Sequence, residues 1–261
     1  MIVTLTTDFG GDSGYVGQLK GVLLTRAPGI SLVDLSHALP AFDVAAGALL
    51  LEDAVGAFPD GTVHLAVIDP GVGSARRPLA LEWKGQRFVG PDNGIFEPFL
   101  QGAAVHVVQR RELFRHPVSD VFHGRDLFAP AAAFLAKGGL PAELGPPVDD
   151  PVRLAWEEIS WEPALLRAPI LRADTFGNLQ TRLRREFVPV DVEPVVTVLD
   201  AQGTRTPVGA VRRFYGEVAA GESLALWGSN GRLEVAVREG SAAAHFGFGR
   251  TGKLAVEVAW S

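Results

Sequence analysis

The feature that most limits what this chain can fold into is an alternation in its first half. Short aliphatic runs at residues 2–7, 32–35, 63–68 and 88–90 are separated by longer segments with helical spacing. Runs this short, rich in β-branched residues and bounded by turn residues, read as buried strands. Between them, Val16, Leu19, Val22 and Leu23 share one face of a helix over residues 13–26, which Pro28-Gly29 ends. Asp43 is placed to cap a second helix that runs through Leu49, Leu50 and Ala54 to Phe58-Pro59. Residues 125–136 predict a third, with Pro130 inside it. Such alternation gives a largely parallel sheet with helices on both faces.

The texture changes at Pro146-Pro147-Val148-Asp149-Asp150-Pro151, a charged, proline-rich joint. Beyond Ala168 the chain reads as shorter strands at residues 195–199, 223–227, 232–237 and 253–260, and Asn230-Gly231 between two of them signals a hairpin. The expected fold is an α/β N-terminal domain over residues 1–150, with a largely parallel sheet between helices. A linker over 151–167 and a smaller antiparallel β-barrel C-terminal domain over 168–261 follow.

Composition removes several function classes. The chain has no cysteine, so disulfides, Cys-zinc sites, thiolate catalysis and Fe–S clusters are excluded. A net charge of −6 gives no basic field for nucleic acid. The longest apolar stretch, residues 127–136, is about half of the ~20 residues a membrane-spanning helix needs. The start, Met1-Ile2-Val3-Thr4, lacks the basic region of a signal peptide, which makes the cytoplasm the expected location.

In open parallel sheets, ligands bind beyond the carboxyl ends of the strands. The residues there are Thr7-Asp8-Phe9-Gly10, Asp34-Leu35-Ser36-His37, Asp69-Pro70-Gly71-Val72-Gly73 and Gly90-Pro91-Asp92-Asn93-Gly94. Four carboxylates beside glycines would ring one edge, although a strand-end aspartate is as often a turn or helix cap. Competing motifs fail. Arg76 stands where a dinucleotide loop needs its third glycine, and Gly247…Gly252-Lys253 has phosphate-loop spacing but leads into Leu254 and a strand. No histidine pair has metal-ligand spacing. His123, in Phe122-His123-Gly124-Arg125-Asp126, is open between a structural and a catalytic reading. Taken alone, Phe42, Phe176 and Phe214 read as core, and Asp174 as a turn aspartate.

Six motifs occur in order: Thr7-Asp8-Phe9-Gly10 with Tyr15-Val16-Gly17, Asp69-Pro70-Gly71-Val72-Gly73 with Arg76, Pro91-Asp92-Asn93-Gly94, Phe122-His123-Gly124-Arg125-Asp126, Asp174-Thr175-Phe176-Gly177-Asn178 and Gly240-Ser241-Ala242-Ala243. In this order the chain resembles the SAM hydroxide adenosyltransferase family, whose halogenating relatives are fluorinase and chlorinase. The resemblance implies hydrolysis of S-adenosyl-L-methionine (SAM) to adenosine and L-methionine. It also implies a homotrimer with sites between one subunit's N-terminal domain and a neighbour's C-terminal domain, and neither metal nor cofactor. Asp69, Arg76 and His123 match the family's water-holding triad, Arg76 being preferred to Arg77 by its spacing from the aspartate. Asp8 matches the carboxylate that grips the ribose hydroxyls, and Phe42 an aromatic that packs on the nucleoside. Asp174 matches the partner of the methionine amine and Ser229 that of its carboxylate. Phe176, Asn178, Phe214 and Arg238-Glu239-Gly240 align with the adenine surround. Two positions depart from fluorinase: Asn230 replaces an arginine and Gln180 a tryptophan. The rival readings are a non-catalytic SAM or adenosine binder and a nucleosidase that releases adenine.

Overall fold

A computed structural model describes residues 1–249 and 253–261. The chain divides into two compact units, Met1–Ala155 and Trp156–Ser261.

In the first unit the strands are β1 (Ile2–Thr7), β2 (Ser31–Ser36), β3 (Val63–Val67), β4 (Pro78–Trp83), β5 (Gln86–Pro91) and β6 (Ala104–Val107). The helices are α1 (Gly14–Arg26), α2 (Val44–Ala54) and α3 (Ala129–Ala136). The strands form one sheet in the order β2-β1-β3-β5-β4-β6. β2, β1, β3 and β5 run parallel, while β4 is antiparallel to both β5 and β6. The period-2 alternation of β3 feeds both faces. Val63, Leu65 and Val67 join a core with Leu19, Leu23 and Phe128, and Ala66 and Ile68 join another with Leu51 and Phe88.

Sequence and structure differ at particular elements. β4 and β6 are additional strands, and the apolar run of β4, Leu79-Ala80-Leu81, is only three residues long between Pro78 and Glu82. β2 lies at the sheet edge and stays half-exposed instead of buried. The segment expected to be one helix from residue 125 is a π turn, Gly124–Phe128, that passes into α3. Pro130 then falls in the first turn of α3, directly after the π turn, and the Asp126 carbonyl four residues before it accepts the Arg115 N–H instead. Asp43 caps α2 as expected, its Oδ1 accepting the Ala46 N–H at 2.8 Å.

The second unit contains β7 (Ser160–Glu162), β8 (Leu165–Ala173), β9 (Leu179–Arg184), β10 (Val195–Leu199), β11 (Arg205–Arg212), β12 (Ser223–Trp227), β13 (Arg232–Val237), the short helix α4 (Ala242–Phe246) and β14 (Ala255–Ala259). Among the described strands, seven close into a ring because β14 pairs with both β10 and β8, and β7 is added alongside β8. The barrel is mixed instead of wholly antiparallel, since β11 and β12 run parallel. The chain between them, residues 213–222, carries a turn at Tyr215–Glu217 and is short for a connection between parallel strands. β7 and the start of β8 occupy part of the segment read as a linker. Gly252 of the phosphate-loop spacing lies outside the described residues.

A buried polar chain crosses the first sheet. Gln86 Nε2 donates to the carbonyls of Val55 and Phe58, so its Oε1 must be the acceptor for His64 Nε2 at 2.5 Å. That puts the imidazole proton on Nε2 and leaves Nδ1 to accept from the Thr4 hydroxyl at 2.8 Å. The ring also stacks on Phe88, with centroids 4.8 Å apart. Burial holds His64 neutral and pulls its pKa down to about 4. The unfolded chain takes up this proton near pH ~6.5, so stability present above that pH is lost as the pH falls toward 4. The loss should be on the order of 3 kcal/mol. Urea unfolding across this range should show it, and His64→Asn should flatten that pH dependence.

Candidate active site

A cavity of about 600 Å³ opens beyond the carboxyl ends of β1 and β3, lined among others by Asp8, Phe9, Phe42, Asp69, Phe122 and His123. That volume lies within the ~300–1,000 Å³ of small-molecule sites. Two loops form one wall, and Gly73 lets them meet. It adopts φ +78°, and a Cβ there would stand 2.5 Å from the Asp120 carbonyl oxygen.

Asp69 follows β3, and Arg76 returns to it from the far end of the glycine loop. Arg76 Nε donates to Asp69 Oδ1 at 2.9 Å, and Nη2 pairs with Oδ2. The second hydrogen of Nη2 is directed at His123 Nδ1, 2.9 Å away. Both charged side chains are nearly out of water, at 5% exposure for Asp69 and 9% for Arg76. The guanidinium carbon lies 5.0 Å from the centre of the Phe128 ring. An arginine can only donate, so His123 Nδ1 accepts and the proton of the neutral ring sits on Nε2. Burial, then the Arg76 charge, lowers the His123 pKa, against weaker opposition from Asp69, Asp120 and Asp126.

The neighbouring Arg77 points elsewhere. It donates to Asp92 Oδ2 and Asp150 Oδ1, each at 2.7 Å. Asp92 also accepts the Val152 N–H, and Asn93 Nδ2 donates to the Ile68 carbonyl. The Pro91-Asp92-Asn93-Gly94 motif is therefore scaffold. Of the four strand-end aspartates, Asp8 and Asp69 line the cavity, Asp92 is turned to Arg77, and Asp34 pairs with Lys20 and His37.

Asp8 Oδ2 accepts the Phe42 N–H at 2.8 Å. Phe42 holds a left-handed backbone at φ +68°, and its ring is 70% exposed at the cavity. Phe9, Tyr15 and Phe122 form an edge-to-face cluster with centroids 5.2–5.9 Å apart. Beneath them Asp126, wholly buried, accepts from Arg125, Arg115 and the Ser119 N–H, which pins the loop that leads into His123.

In the second unit Asp174 organises its own turn. Its Oδ1 accepts the Phe176 and Asn178 N–H groups and its Oδ2 the Asn178 side-chain amide. Phe176 is 77% exposed and Phe214 is exposed as well, so neither these two nor Phe42 is core. Ser229 and Asn230 lie in the β12–β13 turn, where Asn230 Oδ1 accepts the Arg232 N–H. Arg238 donates to the Val218 carbonyl, Glu239 has φ +55°, and Gly240 abuts Val237 where a Cβ would clash. Sequence reasoning missed Glu234. It is buried on β13, accepts from the Tyr215 hydroxyl at 2.7 Å, and faces Gln180 Nε2 at 3.4 Å. Burial, together with the Asp174 charge, raises the Glu234 pKa. The readable signal was a glutamate inside the apolar run Leu233-Glu234-Val235-Ala236-Val237.

The fold and cavity define a two-domain α/β-and-barrel protein with polar groups set for small-molecule chemistry. Residues 3–145 match the SAM hydroxide adenosyltransferase N-terminal domain, and residues 168–254 match the C-terminal domain of the same family. The (R)-S-adenosyl-L-methionine hydrolase of Thermus thermophilus is 42% identical over 257 residues, covering 92% of this chain and 93% of that protein. The enzyme of that name from Salinispora tropica is 39% identical over 247 residues, with 92% of each covered. A fluorinase from Actinoplanes is 27% identical over 214 residues, 70% of this chain and 72% of that protein. The crystal structure of an uncharacterized conserved protein from Thermotoga maritima superposes with a TM-score of 0.88 at 32% identity, covering 98% of this chain and 99% of that one. The chain belongs to the SAM hydroxide adenosyltransferase family.

The donor pattern at His123 predicts its titration. In an NMR pH titration its pKa should lie below the usual ~6.5. Arg76→Gln should raise it and Asp69→Asn should lower it further, since each removes a charge of known sign. Unchanged values in both variants would contradict the contacts described.

Proposed function

We propose that this protein hydrolyses (R)-S-adenosyl-L-methionine to adenosine and L-methionine. The hydrolases above supply the reaction and the sulfonium epimer, and the observation that carries the reading here is the Arg76-centred contact between Asp69 and His123. Water attacks the 5′-carbon in line. The new C–O bond forms as the C–S bond breaks, methionine leaves as a neutral thioether, and one proton is released from the water. A sulfonium leaving group needs no general acid and no Lewis acid, so the reading includes neither metal nor cofactor.

The demand falls on the nucleophile, because bulk water has a pKa of ~15.7. With Nδ1 occupied by Arg76, His123 presents Nε2–H as a donor to the water oxygen and not as its base. Asp69 keeps lone pairs beyond those Arg76 uses, and these suit it to accept the proton. Asp8 is assigned to the ribose hydroxyls, and Phe42 to the nucleoside face. From the barrel, Phe176, Asn178, Phe214 and Arg238-Glu239-Gly240 are assigned to adenine. Asp174 and Ser229 are assigned to the methionine amine and carboxylate. Glu234 adds a second carboxylate near Asp174, which favours an ammonium. Gln180 and Asn230 fill the positions where fluorinase carries tryptophan and arginine.

The active form in this reading is a homotrimer, each site using one subunit's α/β unit and a neighbour's barrel. The family resemblance supports it, and in such an assembly the exposed rings of Phe42, Phe176 and Phe214 would be covered by ligand or by the neighbouring subunit.

Purified protein should convert the (R)-epimer to adenosine and methionine by chromatography, at a rate unchanged by EDTA, with the (S)-epimer the poorer substrate. Adenine as product would favour the nucleosidase reading, and binding without turnover the binder. For the assembly, mixing inactive Asp69→Ala chains with inactive Asp174→Ala chains should restore part of the activity, because some interfaces then carry neither change. Full activity of a monomer in light scattering would refute the shared site.

A further inference from the structure

We propose that His37 is a positioning residue for the nucleoside half of the site, clasping the loop that bears Asp8 to the loop that bears Phe42. This rests on the reading of Asp8 as the ribose ligand. His37 does not line the cavity, and its side chain is only 12% exposed. It stands where the two loops meet.

The contacts form one directed chain. The Phe9 N–H donates to Thr7 Oγ1 at 3.3 Å, and the Thr7 hydroxyl lies 2.8 Å from His37 Nδ1. His37 Nε2, which has no aligned hydrogen-bond partner among the described residues, lies 3.0 Å from Asp34 Oδ1. The other Asp34 oxygen accepts from Lys20 on α1 at 2.6 Å. A carboxylate beside Nε2 favours the proton there, so Nδ1 accepts and Thr7 donates. The backbone closes the same joint, as the Gly10 N–H donates to the His37 carbonyl at 2.8 Å. Asp8 thus sits in a short segment, residues 7–10, tied to His37 at both ends.

The second tie runs from Asp8 Oδ2 to the Phe42 N–H, and it holds a φ that a phenylalanine rarely adopts. If residues 7–10 shift, the acceptor for that N–H shifts with them. One carboxylate oxygen is then misaimed for ribose, and the Phe42 ring leaves the cavity mouth. Among the described residues no hydrogen bond or ion pair joins these groups to the Asp69–Arg76–His123 set, so the clasp should act on binding more than on the chemical step.

The test uses the full-length protein with His37→Ala, Thr7→Val and Thr7→Ser. Thr7→Val keeps the buried volume and loses the hydroxyl, while Thr7→Ser keeps the hydroxyl. His37→Ala and Thr7→Val should raise KM for SAM about tenfold, with kcat within about threefold, and Thr7→Ser should stay near wild type. Calorimetric affinity for adenosine should fall by a similar factor. Hydrogen exchange at the Gly10 and Phe42 amides should speed up in the first two variants only. Wild-type KM, adenosine affinity and exchange in Thr7→Val would overturn the proposal, as would a loss confined to kcat. If the wild type binds adenosine but leaves SAM intact, the hydrolase reading fails while the clasp is still judged by affinity and exchange. If it binds neither, exchange alone decides.

Discussion

The contact on which the candidate site turns is the desolvated guanidinium of Arg76. A charge taken this far out of water is tolerable only with a paired counter-charge, and removing one partner of such a pair costs about 3–5 kcal/mol. Asp69 supplies the pair in a two-pronged grip, the Phe128 ring supplies a face, and the second hydrogen of Nη2 goes to His123. One side chain therefore holds the carboxylate's orientation and selects the imidazole tautomer. A lysine could supply the charge but not the fork.

The supports around that contact are equally specific. Gly73 lets two loops approach more closely than any side chain would allow. Asp126, buried under three donors, fixes the run into the π turn that follows His123. π turns are uncommon and concentrate at functional sites because the extra residue re-aims what precedes and follows it. The barrel contributes different material: exposed aromatic rings and a buried carboxylate next to another. In the reading proposed above, the water-handling groups lie in the first unit, and most of those assigned to adenine and the ammonium lie in the second.

Much of this was legible in the chain. β1, β10, β12 and β13 fall on the residues that their apolar runs marked, and the Asp43 cap marks the start of α2. The strands that escaped carry weaker local signals. β11 contains Pro207 and Gly209, and β4 begins with proline, so both are strands because of their neighbours. The parallel β11–β12 pair likewise depends on how the chain returns and not on what either strand contains.

The sequence alone determined the motif order, the alternation that makes the α/β unit, the hairpin at Asn230-Gly231 and the family. These are local patterns, set by backbone propensity and period. Only the tertiary structure decided which groups meet. Arg76 and Arg77 are adjacent and chemically alike, yet one enters the cavity and the other braces Asp92 and Asp150, because successive residues here point to opposite sides. Asp92 and Asp69 both follow strands, but only Asp69 faces the cavity. Phe42, Phe176 and Phe214 look like core in composition and lie in the open. Each outcome depends on partners distant along the chain, and no local pattern encodes which buried charge a distant loop will bring to its counterpart.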